Sequence, residues 1–162
     1  MIIVSKSAQI SKLADIEDSV RGTRIVIEDG VRVDSFVKIK PAGGLGDVLI
    51  GANSYINSGV VIYTGNGVTI GQNVLIAANC TIAPANHEFG SRLRTIIKQR
   101  FQTSRGGIVI EDDVWIGANC TILDGAVLHK GCVIGAQSIV RGEIESYSIN
   151  VGQPLRCVGY RK

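Results

Sequence analysis

Between Ile110 and Val140 an aliphatic residue returns at every sixth position: Ile110, Ile116, Ile122, Leu128, Ile134 and Val140. Such a beat is not an amphipathic helix, whose apolar face repeats near 3.6 residues, and not a lone strand, whose faces alternate by two. It fits a chain that runs extended for a few residues, turns, and runs extended again. The same triplets recur upstream as Ile70, Ile76 and Ile82, as Ile50, Ile56 and Ile62, and as Ile27, Val33 and Ile39, with a weaker set, Val4, Ile10 and Ile16, at the start. Two positions before most of these anchors stands a second small or apolar residue, among them Val74, Cys80, Val114, Cys120, Ala126 and Cys132. Each hexad therefore offers a large and a small inward side chain with an outward residue between them. Glycine or alanine often follows the anchor (Gly51, Gly71, Ala77, Gly117, Gly135), which places the turn there.

The period is interrupted after Ile16, Ile39, Ile62 and Ile82, each the third member of its triplet. If three hexads make one coil, every insertion leaves from the same edge of a three-sided prism, where a solenoid tolerates it because each coil touches only its neighbours. The expected fold is all-β: a triangular parallel β-helix of about six coils. Residues 1–162 form a single domain, with an extended loop over 83–107 after the fourth coil and a C-terminal tail over 141–162. An antiparallel sandwich explains neither the six-residue beat nor the shared corner. Composition agrees: at 45% hydrophobic but 5% aromatic, an aliphatic column has to hold the fold together.

A net charge of +3, with no basic run interleaved with aromatics, argues against nucleic acid. No stretch is as long as a membrane span, and "MIIVSKS" lacks the basic start and apolar core of a signal peptide, so a cytoplasmic protein is expected. The four cysteines have no C-x-x-C spacing. Zinc binding is therefore not expected, and Cys80, Cys120 and Cys132 read as small buried hydrophobes.

Chemistry points to the 83–107 insertion, "APANHEFGSRLRTIIKQRFQTSRGG". A loop this long is usually functional or disordered. It carries His87 near its start, and an imidazole titrates near neutrality, as a general base must. Its cations Arg92, Arg94, Lys98, Arg100 and Arg105 either keep it solvated or hold an anion. His129, after the anchor Leu128, reads as an exposed corner residue. Trp115 stands just before Ile116 and should point outward, where a Trp meets a ligand or a partner surface.

The hexads "IGANCTI" and "VIGAQSIV", the closing "INVGQPLRCVGY", the histidine-bearing loop and "DDVWIGA" together resemble the left-handed β-helix hexapeptide acyltransferases. Residues 50–162 are similar to sugar O-acetyltransferases of the galactoside and maltose type and their polysaccharide-modifying relatives. The resemblance, and not the period, implies left-handed coiling, a homotrimer, and acetyl-CoA lying in clefts between neighbouring prisms. It implies that His87 is the catalytic base, with Asn57 and Asn86 as acceptor ligands. Asn57 is equally readable as a turn residue. Where galactoside-type enzymes place an acidic residue, "TGNG" stands at 64–67, which leaves the acceptor open. The resemblance further assigns the backbone at Ala118 and Ala136, with Trp115 and Arg156, to the cofactor. The two alanines also read as plain corner residues, Trp115 as packing on a neighbouring subunit, and Arg156, with Arg161 and Lys162, as a solvated basic tail.

The expected activity is direct transfer of an acetyl group from acetyl-CoA to a hydroxyl of a sugar or glycan precursor, without a metal. Alternatives are N-acylation of an amino sugar and a noncatalytic β-helix scaffold. An ice-binding face would need a longer threonine ladder than Thr81 and Thr121, which does not continue through Thr69. A zinc hydratase on this fold takes three histidines, and the chain has two.

Overall fold

In a computed structural model, which describes residues 1–162, the six-spaced anchors fall into three columns. Ile27, Ile50, Ile70, Ile110, Leu128 and Ile144 stack in register along the first face of a prism. Val33, Ile56, Ile76, Ile116, Ile134 and Asn150 do so along the second, and Ile39, Ile62, Ile82, Ile122 and Val140 along the third. The faces are sheets of seven, eight and six strands, and every pairing between coils is parallel. Anchors and small inward residues together form one cluster of 29 buried apolar side chains, large enough to do without aromatic anchors. The weak opening triplet is also a coil. Ile2–Val4, Gln9–Ile10 and Asp15–Ile16 pair onto the second coil, but nothing lies beneath them, so Val4 stays 41% exposed.

Two expectations are corrected. The turns do not sit at the residue after the anchor. The left-handed residue is three positions past it: Gly30, Asn53, Asn73, Asp113, Gly131 and Tyr147 at the edge leaving the first face, and Phe36, Gly59, Asn79, Asn119 and Gln137 at the edge leaving the second. Glycine after the anchor serves the stacking instead. A Cβ on Gly117 would lie 2.5 Å from the Ala136 nitrogen, and one on Gly51 2.6 Å from the Gly71 carbonyl carbon. Coils spaced by one strand separation, about 4.8 Å, have no room for it.

The second correction concerns 141–162. Glu143–Ile144 and Ser148–Val151 extend the first two faces into a partial seventh coil, and Arg156–Tyr160 turns back antiparallel on Ser148–Val151. The antiparallel strand occupies hydrogen-bonding groups that the last coil would otherwise leave bare, the usual need at a solenoid end. The corner between Val140 and Ile144 is short, and the polar Asn150 fills an anchor position, so the period is hidden there.

Candidate active site

All insertions leave the third edge, between the third face and the first face of the next coil. There the chain inserts 17–24 after the first coil, 41–47 after the second, 64–67 after the third and 84–107 after the fourth. The long loop is folded, not extended. Its two limbs meet as a short antiparallel ribbon: the Glu88 N–H donates to the Arg100 carbonyl (2.9 Å) and the Gln102 N–H to the Asn86 carbonyl (2.8 Å). At the tip a short helix, Ile96–Gln99, is tied back by the Gln99 amide, which accepts from the Ser91 N–H and donates to the Ser91 and Arg94 carbonyls. The exit is pinned by Asp124 from the fifth coil, which accepts from the Arg105 and Gly107 N–H groups (2.9 and 3.0 Å) and from the Asn66 side chain (3.3 Å).

The ribbon positions His87. Its ring stacks on Phe101 with centroids 4.6 Å apart, and Nδ1 lies 3.1 Å from the Arg100 carbonyl oxygen. A carbonyl oxygen only accepts, so in this hydrogen bond Nδ1 carries the proton, and in the neutral ring Nε2 is left as the basic nitrogen. Arg100 turns its carbonyl toward both donors from a backbone with φ 65° and ψ −133°, a conformation that costs a side-chain-bearing residue about 1–3 kcal/mol. Beside the imidazole is a cavity of about 430 Å³, lined in part by Asn86, Gln102, Arg105, Asp124 and Arg141. Asp124 is buried and both its carboxylate oxygens accept N–H groups of the loop exit, so it organises the cavity wall.

Of the sequence candidates, Asn86 and His87 share this edge. The other five lie on the second face and the second edge. Asn57 donates its side-chain amide to the Ile76 carbonyl at 2.8 Å, bracing the corner. Trp115 is 49% exposed, in register between Leu75 and Val133. Gly117 and Gly135 lie one above the other, and Arg156 pairs with Val151 at the top of the same column, so Ala118, Ala136 and Arg156 follow one edge over the last coils. The Ala118 and Ala136 N–H groups donate to no protein acceptor. One face, roughly 15–20 Å of extended chain, separates this row from His87.

Other charged residues are committed elsewhere. Arg161 pairs with Asp113 at 2.9 Å and donates to the Gly131 carbonyl. His129 is not a free corner residue: it is half-buried, 3.0 Å from Glu111 and 3.9 Å from Glu143. Cys80 and Cys120 donate their thiol protons to the Gly117 and Gly135 carbonyls, burial pushes the Cys132 thiol up to about 12, and all three side chains are buried in the core, out of reach of a substrate. Sequence reading missed Phe101 and Asp124. The first has no periodic signal, and the second, in "LDGA", reads as an ordinary turn.

Residues 107–142 match the model of the bacterial transferase hexapeptide (six repeats), and residues 46–84 that of the hexapeptide repeat of succinyl-transferase. WbbJ of Escherichia coli, provisionally named a lipopolysaccharide biosynthesis O-acetyl transferase, is 32% identical over 136 residues, 80% of this chain and 65% of that protein. The chain belongs to the hexapeptide-repeat acyltransferase family. Its prism is accordingly the left-handed β-helix of that family. The galactoside O-acetyltransferase of Escherichia coli is 35% identical over 112 residues, 69% of this chain and 53% of that protein. The chain thus spans between half and two thirds of the length of these two relatives. Among solved structures, AntD, an N-acyltransferase from Bacillus cereus in complex with dTDP and 3-hydroxybutyryl-CoA, superposes with a TM-score of 0.82 at 26% identity, covering 99% of this chain and 83% of AntD.

Proposed function

We propose that the protein is an acetyl-CoA-dependent O-acetyltransferase acting on a hydroxyl of a sugar or glycan precursor, with His87 as general base. The observation that carries this reading is the His87 geometry: Nδ1 faces the Arg100 carbonyl, and the ring borders a cavity that can take an acceptor. Nε2 takes the hydroxyl proton as the acceptor oxygen attacks the thioester carbon. The C–S bond then breaks, and the departing sulfur recovers that proton from the imidazolium. The free N–H groups of Ala118 and Ala136 suit the pantetheine arm or the thioester oxygen, Trp115 the wall of the groove, and Arg156 a phosphate. Because these groups and His87 occupy different edges of one chain, a complete site needs the second edge of one protomer beside the third edge of the next. The homotrimer that the family resemblance implies would close such contacts into a ring. Four free thiols suit the reducing cytoplasm.

The likeness to AntD, a point mutant of which is solved in complex with dTDP-4-amino-4,6-dideoxyglucose and coenzyme A, favours one second reading, N-acylation of an amino sugar. Turnover of acetyl-CoA with a panel of neutral sugars, sugar nucleotides and amino sugars distinguishes the two, since an ester product is cleaved by mild alkali and an amide is not. His87→Ala is expected to lower kcat by about 10²–10⁴-fold while CoA binding persists. Turnover undiminished in that variant would remove the proposed base.

A further inference from the structure

Phe101 is 48% exposed, so burial alone gives this large apolar side chain little reason to stay where it is. Two groups flank it. One is the imidazole, paired across the ribbon and stacked at 29° between ring planes. The other is Gly43, from the separate insertion between the second and third coils. A Cβ built on Gly43 would stand 3.7 Å from Phe101 Cε1 and 3.0 Å from the Ala85 Cβ, and Gly43 has φ 85°, which side-chain-bearing residues rarely adopt. His87 is itself exposed, and its one hydrogen bond is to the Arg100 carbonyl. A single hydrogen bond fixes an atom but lets the ring swing about that axis. The stack removes the swing and so sets where Nε2 points.

We propose that Phe101 is a positioning residue for His87, and that Gly43, where a Cβ would just touch the ring and a branched side chain would push against it, leaves the ring its place, so that an insertion lower in the prism helps aim the base. This rests on the reading of His87 as base. It also has a readout independent of turnover, the tautomer of the His87 imidazole.

The test compares Phe101→Ala, Phe101→Leu, Phe101→Tyr and Gly43→Val in the full chain. It measures kcat and KM with acetyl-CoA and the most active sugar of the panel, and the imidazole ¹⁵N resonances. With two histidines in the chain, His87→Gln assigns those resonances. Phe101→Ala is expected to lose about 10²-fold in kcat, the scale of a misplaced catalytic group, with KM for acetyl-CoA unchanged. Its His87 signals should move from the Nδ1–H tautomer toward the exchange average. Phe101→Tyr should retain both properties, whereas Phe101→Leu and Gly43→Val should behave like Phe101→Ala.

Wild-type ¹⁵N shifts and kcat in Phe101→Ala would overturn the proposal. So would rescue by leucine equal to that by tyrosine, because bulk alone would then suffice. A kcat loss matched by weakened acetyl-CoA binding would reduce Phe101 to loop packing and overturn it as well. Full turnover in His87→Ala is a different failure: it removes the base, while the ¹⁵N comparison still decides whether Phe101 orients the ring.

Discussion

The second and third edges of the prism are built from the same hexads and put to opposite uses. Along the second edge the chain turns repeatedly through one short corner, with a left-handed residue at Phe36, Gly59, Asn79, Asn119 and Gln137. Along the third edge, 41–47, 64–67 and 84–107 differ in length and path. Repetition yields a ladder of backbone groups, which suits an extended ligand such as a pantetheine arm. Irregularity lets residues from distant coils converge, as the proposed base and its supports would require: Gly43, Phe101, His87 and Asp124 come from three separate corners.

The largest expected effect removes the scaffold that both edges share. Ile122→Ala, at a fully buried anchor, should cost about 2–5 kcal/mol of stability in urea unfolding, and both edges should loosen together. Loss of the third edge alone would mean that the edges do not depend on one core. Next is Asp124→Asn, which leaves one acceptor oxygen where the carboxylate has two. A local cost of about 1–3 kcal/mol should speed amide hydrogen exchange at 105–107 and lower turnover, with CoA affinity at the second edge unchanged. Unaltered exchange at 105–107 would remove Asp124 from its pinning role.

The smallest effect is in acid. Asp47, on the 41–47 insertion, is held below the usual carboxylate range by the Arg24 backbone N–H and then by the Arg24 side chain. A depressed carboxyl contributes stability that is present above its unfolded pKa and lost as pH falls through the folded value, so the contribution fades below about pH 4. Hydrogen exchange in 41–47 should therefore rise on acidification before it rises along the second edge. Asp47→Asn should abolish that step while costing under about 1 kcal/mol at pH 7, as expected of a surface pair. Simultaneous acid loosening of both edges would contradict the contrast.

The repeating part of the molecule was legible from sequence because one physical demand, filling the prism interior, recurs every six residues. Ile27, Ile50, Ile70, Ile110 and Leu128, each the first member of its six-spaced triplet, pair in one register. The glycines after the anchors were found but explained wrongly, since chain turning and coil stacking both favour glycine and only coordinates separate them. Asn150 hid the seventh coil by putting an amide in an anchor position. His87 stood out as one of two histidines in the longest insertion. Its neighbours did not, because the contact with Phe101 closes fourteen residues of irregular chain and Gly43, beside Phe101, comes from an insertion two coils away.

The central claim, that one chain carries two half-sites joined only between protomers, is tested by mixing two inactive variants. His87→Ala disables the third edge, and Ala136→Trp should block the second. After co-refolding in equal amounts, about a quarter of the interfaces in a ring of like contacts should pair two intact edges. The account predicts that acetyl transfer returns to roughly that fraction of wild type. A mixture as inactive as its two components would contradict it.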